Sequence, residues 1–254
     1  MNAFANVIAN PASITARRQL LLEWKAEGHP QAQLLEVSLA LLDPGELTLK
    51  EDDRYFSLER RLPEKHGREW AGRIAEIAQD YRYHLGMISG ITLTGETFLK
   101  FGAELCALAP ILHLGLCEPL CLEHVFAMPQ LQQIRTLFLD GDSGDHEAAL
   151  MAACPYLTNL RSGALGDRIT AVGMQALATA PSLSNVIGLD VTNNPGAHSN
   201  VRGHLFIKPI NDSVYLLGPA AVPLYNDALD QAAKGYNCET PDWPPSYVDV
   251  AWTE

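Results

Sequence analysis

The chain of 254 residues has no uninterrupted run of about 18 apolar residues, the length that a membrane-spanning helix needs. Its first residues, 1–13, lack both the positively charged start and the long apolar stretch of a secretory signal. The five cysteines are an odd number and do not have the spacing of a disulfide framework. These absences predict a cytoplasmic protein that neither crosses nor binds a membrane.

Basic residues are also scarce. Lys and Arg number 18 against 30 Asp and Glu, which gives a formal net charge of −12 at pH 7. Direct binding of nucleic acid is disfavoured, because it needs clustered Lys and Arg. An acidic surface favours a basic protein partner, whose approach it would speed and orient. The alternative is that the acidity serves solubility alone.

Common catalytic motifs are missing too. The sequence contains no P-loop, no dinucleotide-binding fingerprint and no His-Glu-x-x-His metal motif. No cofactor is therefore expected, and an enzyme would have to use a site without a recognisable local signature.

A pattern of aliphatic residues is present instead, L-x-x-[IVL]-x-x-L-x-L, and it occurs five times with starts separated by 23, 23, 26 and 26 residues. Nineteen of its twenty positions are aliphatic, so the register is not accidental. The five frames are Leu85/Ile88/Ile91/Leu93, Leu108/Ile111/Leu114/Leu116, Leu131/Ile134/Leu137/Leu139, Leu157/Leu160/Gly163/Leu165 and Leu183/Val186/Leu189/Val191.

A period of this length is typical of leucine-rich repeats. We therefore expect an α/β fold, a solenoid of about five repeats in which short parallel strands at the ends of the frames alternate with return helices. The return helices are expected at 96–107, 120–128, 146–154 and 170–180. Stacked repeats form extended binding surfaces, so this fold favours protein binding over catalysis.

The predicted domains are a helical N-terminal cap at 1–84, the solenoid at 85–200, and a C-terminal cap with an aromatic and acidic tail at 201–254. Residues 203–217 predict two strands joined by a turn, which would close the solenoid. Helices are expected in the N-terminal cap at 3–9, 13–27, 31–42, 51–62 and 67–81.

The N-terminal cap also carries a more specific pattern. Trp24, Glu27, Gly28, Pro30, Ala32 and Leu35 are followed by the string GREWAG at 67–72. This arrangement resembles the short helical domain that accompanies leucine-rich repeats in many bacterial proteins. The chain departs from that pattern at Glu23 and His29, where the family has Asp. Some proteins of this kind resemble immunity proteins encoded beside secreted antibacterial (type VI) toxins, including nucleases, and the resemblance implies such a role here.

Two strings have the residue types of catalytic or metal sites. Gly141–Gly144 spells Gly-Asp-Ser-Gly, as around a serine-protease nucleophile, and His146 follows. The alternative is a repeat turn that holds a capping residue for the next helix.

A second group combines two residue types that bind zinc: His113, Cys117, Cys121 and His124. The alternative there is loop cysteines and a surface histidine, and the prediction is no metal.

The candidate partner-binding residues lie on the concave face, where strand alternation would display one side chain in two. Phe138 would be an apolar anchor in an acidic patch, with further contacts at the tail. The alternatives are that Phe138 packs under a cap, that the aspartates cap helices, and that the tail aromatics pack on the solenoid. The expected concave positions are Thr92, His113, Gly115, Thr136, Phe138, Asp140, Ala164, Asp190 and Thr192, with Asp142 and Asp145 at the rim and Trp243, Tyr247, Asp249 and Trp252 in the tail.

The sequence thus favours a non-enzymatic protein-binding module. The leading hypothesis is a cytoplasmic immunity protein, a monomer that binds a basic toxin domain in a 1:1 complex. An intracellular leucine-rich-repeat adaptor or scaffold is the second hypothesis, and a zinc-dependent or hydrolytic enzyme is the third.

Overall fold

The computed structural model describes residues 2–42, 48–118, 120–139, 141–210 and 213–218. The chain forms two compact units. Unit 1 comprises the described residues up to Leu93 together with Lys100–Leu112, and unit 2 comprises Thr94–Leu99 and the described residues from His113 onward.

Helices and parallel strands alternate along much of the chain, so the fold is α/β. The helices are α1 Ala3–Ala9, α2 Ile14–Glu27, α3 Ala32–Leu41, α4 Leu49–Ala71, α5 Ile74–Ile77, α6 Gly95–Leu108, α7 Leu122–Val125, α8 Asp145–Ala153 and α9 Ala171–Thr179. The strands are β1 Asp80–His84, β2 Met87–Thr94, β3 His113–Cys117, β4 Thr136–Leu139, β5 Ser162–Ala164, β6 Gly188–Asp190, β7 Phe206–Ile210 and β8 Ser213–Leu217.

Unit 1 begins with three helices, which confirms the helices predicted at 3–9, 13–27 and 31–42 within about a residue. The Ser13 side chain accepts a hydrogen bond from the Ala16 amide at 3.2 Å, as expected for a helix N-cap. Gly28 ends α2 in the left-handed conformation, with φ of 66°. Apolar side chains from α1, α2, α3 and β2 form one core: Ala3, Val7, Ala16, Leu20, Trp24, Leu35, Leu39 and Met87.

His29, where the chain departs from the family pattern, has a packing role. Its ring stacks on Trp24 with 4.1 Å between centroids, and its Nδ1 accepts a hydrogen bond from the Gln31 amide at 3.2 Å. Burial lowers the pKa of His29. The ring therefore helps to shape the turn between α2 and α3 in its neutral form.

The prediction of separate helices at 51–62 and 67–81 is wrong. A single helix, α4, runs through Pro63, and a capping box between Thr48 and Glu51 starts it. One proline removes one hydrogen bond, while the charged, unbranched residues on both sides favour a helix. Residues 80–84 are the strand β1, antiparallel to β2. Tyr83 fixes β1 against α4, because its hydroxyl donates to the Gly67 carbonyl at 2.8 Å.

Unit 2 contains a six-stranded sheet in the order β3-β4-β5-β6-β8-β7. Strands β3 to β6 are parallel, while β8 is antiparallel to both β6 and β7. The predicted strands are confirmed, and so are the helices expected at 146–154 and 170–180. The helix expected at 120–128 is shorter, since α7 has four residues. The strand pair expected within 203–217 is β7 and β8, and its turn at 211–212 lies outside the described residues.

The frame residues form the interior, with one exception. Nineteen of the twenty are buried, but Leu108 is 42% exposed. Helix α6 continues through this position, so Leu105 and Ala109, four residues apart on one helix face, are buried instead. The sequence pattern placed Leu108 after the helix, in the segment that leads into the next strand. In the structure Leu108 belongs to the last turn of α6.

Gly163, the one non-aliphatic frame position, is explained by a close backbone approach. A Cβ placed there would lie 2.2 Å from the Leu137 carbonyl oxygen on the neighbouring strand. A side chain of any size would force β4 and β5 apart. Glycine is therefore required at this position by contact rather than by backbone torsion.

Gly163→Ala should lower the free energy of unfolding by about 2–3 kcal/mol, because the added methyl overpacks a rigid backbone contact. Gly188→Ala is the matched control on β6, since its Cβ would meet only the flexible end of Leu217 at 3.3 Å. The control should cost less than about 1 kcal/mol. Urea denaturation followed by circular dichroism measures both, and equal losses would contradict this account of Gly163.

Candidate protein-binding surface

One side of the parallel sheet presents a row of partly exposed side chains. Gly115, Phe138, Ala164 and Asp190 are register partners on β3, β4, β5 and β6, so they lie side by side on the same face. All four are half-buried, whereas the frame residues that alternate with them are buried. We refer to these four residues as the outer row. As expected from the sequence, it combines an aromatic ring, two small residues and one carboxylate.

A second row lies on the same face, two residues earlier in each strand. Its members are register partners on adjacent strands: His113, Thr136, Ser162 and Gly188. The expectation that Thr136 is displayed on the surface is wrong, because its side chain is fully buried. Its hydroxyl shares a hydrogen bond of 3.2 Å with that of Ser162, which satisfies two buried polar groups at once. His113 is half-buried.

The rim residue Asp142 forms an ion pair within the chain. Its Oδ1 lies 2.7 Å from Nη2 of Arg168, and both side chains are mostly exposed. The Arg168 amide donates to the Ser143 carbonyl at 3.1 Å, which holds the two loops together. Asp142 and Arg168 are 26 residues apart and stand at the same distance after their aliphatic frames in the sequence. The negative charge of Asp142, which was expected to attract a basic partner, is therefore partly balanced by Arg168.

Asp145, the other predicted rim residue, supports the next helix. Its carboxylate accepts hydrogen bonds from the amide and hydroxyl of Thr170, at 2.7 and 2.6 Å, and from the Gly173 amide at 3.0 Å. These groups belong to the start of α9, whose first amides have no partner within the helix. The Thr170 hydrogen bond lowers the pKa of the Asp145 carboxyl. Asp145 therefore caps a helix, which was the alternative to its role in binding a partner.

Asparagine side chains join successive strand-and-helix units, and two of them were not among the residues predicted from the sequence. Asn159 and Asn185 donate to the carbonyls of Gln132 and Thr158, each at 2.8 Å. Asn159 and Asn185 are 26 residues apart, the same as the spacing of the last aliphatic frames, and this match could have identified them from the sequence. The side chain of the buried Asn194 accepts a hydrogen bond of 2.7 Å from the Ile169 amide.

The remaining predicted contacts divide into two groups. Asp190 belongs to the outer row, and its Oδ1 accepts a hydrogen bond from the Thr192 amide at 2.9 Å. Asp140 and the tail residues Trp243, Tyr247, Asp249 and Trp252 lie outside the described residues.

The Gly-Asp-Ser-Gly string does not form a nucleophilic site. Ser143 is 1% exposed and its Oγ has no hydrogen-bond partner among the described residues, whereas a catalytic serine must reach both a base and a substrate. His146 is exposed and faces Glu123, at 3.5 Å. The serine is packed against Gly166, where a Cβ would come within 2.8 Å of the Ser143 Cβ. The string lies in the connection between β4 and α8.

The His and Cys residues also show no metal-binding arrangement. His113 lies on β3, Cys117 ends that strand, and both Cys121 and His124 are exposed. Within the described part of the chain, no group of three or more His, Cys, Asp and Glu residues is placed to hold a metal ion.

No described helix has the length and apolar character to cross a membrane.

Comparisons with protein-family models, curated proteins and solved structures gave no match. Any functional inference must therefore rest on the residues of this chain.

Asp145→Ala should lower the free energy of unfolding by about 1–2 kcal/mol, because the start of α9 loses its acceptor. The folded pKa of Asp145 is lowered, so its contribution is present above the unfolded pKa and is lost as pH falls through the folded value. The difference between wild type and variant should therefore shrink below about pH 4.

Asp167→Ala is the matched control, since it removes an exposed carboxylate from the loop before α9. It should change stability by less than about 0.5 kcal/mol. Denaturation curves at pH 7 and pH 3 test both variants. A pH-independent loss in Asp145→Ala would show that the carboxylate charge does not contribute.

Proposed function

We propose that unit 2 is a leucine-rich-repeat solenoid that binds another protein through the outer row. The repeat assignment is supported by the four in-register parallel strands and by the buried frame residues. It is also supported by Asn159 and Asn185, which make the same contact one repeat apart. Each repeat buries its apolar side only against its neighbours, as in other solenoids.

The single observation behind the binding function is the outer row itself. A sheet face usually buries its large apolar side chains, yet Phe138 is only half-buried among small neighbours. Aromatic residues at the centre of an interface contribute much of the binding energy. The register neighbours Gly115 and Ala164 carry small side chains, so the Phe138 ring is the largest apolar group of the outer row.

For the partner, we propose a basic antibacterial toxin domain, with this chain as its cytoplasmic immunity protein. The net charge of −12 supports a basic partner, because it would accelerate and orient association. The similarity of the N-terminal pattern to bacterial repeat proteins is the second support. Binding would block the toxin by covering its active site, and no catalytic group of this chain is needed.

One observation favours the alternative of an intracellular adaptor. Asp142 is paired with Arg168, and the carboxylate of Asp145 is held by α9. The acidic rim is therefore weaker than the sequence indicated, and a partner of lower charge would fit the outer row as well.

The leading proposal expects a neighbouring gene to encode a basic toxin domain, and co-expression with that domain tests it. The wild-type chain should restore growth of a susceptible host, and Phe138→Ala should weaken toxin binding by about 2 kcal/mol, roughly 30-fold, if the ring is an interface anchor. Isothermal titration calorimetry measures that loss.

Val172→Ala is the matched control, because Val172 is an apolar residue that is 71% exposed on α9 and outside the outer row. It should bind and protect like the wild type. Failure of the wild-type chain to bind or protect would sink the immunity proposal, and equal losses in both variants would move the interface away from the outer row.

A further inference from the structure

Helix α4 in unit 1 separates its charges by side. It carries six basic and six acidic residues, so its charges cancel in number. At about 100° per residue, five of the six basic residues fall within about 60° of the helix circumference, and no acidic residue of α4 falls in that sector. We refer to these five residues as the basic row: Lys50, Arg54, Arg61, Lys65 and Arg68.

The basic row faces solvent along its whole length, since all five residues are exposed. The helix packs through its other sides. Trp70, about opposite to the row, lies edge-on against Tyr83 of β1 with 6.3 Å between ring centroids, and Gly67 and Ala71 are buried. The row is therefore open to a partner.

Most cations of the row have no ion-pair partner among the described residues: Lys50, Arg61, Lys65 and Arg68. Arg54 interacts with the nearby carboxylate of Glu51. Arg60, the basic residue of α4 outside the row, lies 3.9 Å from Glu64. The positive charge of the row is thus little compensated within the described part of unit 1.

The arrangement of the row works against the helix itself. Lys50 and Arg54 are four residues apart, as are Arg61 and Lys65, and Arg68 follows Lys65 by three. Like charges at these spacings lie side by side and destabilise a helix by repulsion. Mixed signs would keep the helix equally soluble without that cost. Binding of an anionic partner explains the segregation better than solubility does.

The borders of the row restrict the kind of partner. Exposed carboxylates line both sides, Asp53 and Glu64 on one side and Glu51 and Glu69 on the other. A nucleic-acid duplex or an anionic membrane is wide enough to meet these carboxylates and would be repelled by them. The net charge of −12 adds to that repulsion.

A protein helix with one line of carboxylates is narrow enough to fit between the borders. The basic row extends over about 27 Å from Lys50 to Arg68, and a second helix beside it has the same pitch of about 5.4 Å. Its carboxylates can therefore meet successive cations, and the arginines donate charge-assisted hydrogen bonds.

We propose that the basic row binds an acidic helix of a protein partner. This surface belongs to unit 1 and does not depend on the outer row of unit 2. The contact is electrostatic and exposed, so binding weakens as salt is added.

The probe is a fluorescein-labelled helical peptide of alanine and glutamine, about 22 residues long, with five glutamates spaced as the cations of the basic row. The control peptide has the same composition, with the glutamates distributed around the helix. Both are titrated with the full-length protein at about 20 mM salt, and fluorescence anisotropy reports binding. The first peptide should bind at least about 5-fold more tightly, because only its carboxylates lie in one line. Equal affinities would overturn the proposal.

Two neighbouring arginines give a matched pair of protein variants. Arg61→Glu should weaken the row-matched peptide at least about 5-fold, whereas Arg60→Glu should weaken it less than about 2-fold. Both replace an exposed arginine of α4 with the same residue, but only Arg61 belongs to the row. Equal losses would indicate general charge attraction and would contradict the proposal. Thermal melts check that both variants fold.

A DNA duplex and vesicles containing phosphatidylserine are the competing partners. Weaker binding of both than of the row-matched peptide supports a protein partner. Tighter binding of either one, lost in Arg61→Glu, would assign the row to that polyanion and overturn the choice of an acidic helix.

Discussion

The parallel, in-register pairing of β3, β4, β5 and β6 is the constraint on which the rest of unit 2 depends. It requires each of these strands to present equivalent backbone positions to its neighbour. One set of side chains must then pack inward, while the alternate set lies in rows across the sheet. The glycine at 163 follows from this pairing, because the backbones of β4 and β5 approach too closely there for a side chain.

Polar contacts within unit 2 involve two of the carboxylates that the sequence assigned to a partner-binding rim. Asp145 holds the start of α9, and Asp142 is paired with Arg168 in the next loop. Exposed ion pairs contribute at most about 1 kcal/mol, so a strongly basic partner can still compete for Asp142. The proposed recognition of a partner therefore relies on Phe138 and the groups beside it more than on the acidic rim as a whole.

The strands β3 to β6 and the helices α1 to α3 were predictable because their signals are local: helical or alternating periodicity, caps and prolines. The outer row was predictable for the same reason. The course of α4 through Pro63 was not, since a proline usually ends a helix. Leu108 was misplaced because the frame cannot show where α6 ends. The partners of Asp142 and Asp145 are about 25 residues away, and pairing at that range depends on how the loops stack.

Site-specific photo-cross-linking tests most directly whether the outer row contacts the partner. A benzophenone amino acid in place of Phe138 keeps an aromatic group in the row, and the same amino acid at Val172 probes an exposed part of α9. In the purified complex with the toxin domain, the first should cross-link to the partner and the second should not. Cross-linking from position 172 with none from position 138 would contradict the account.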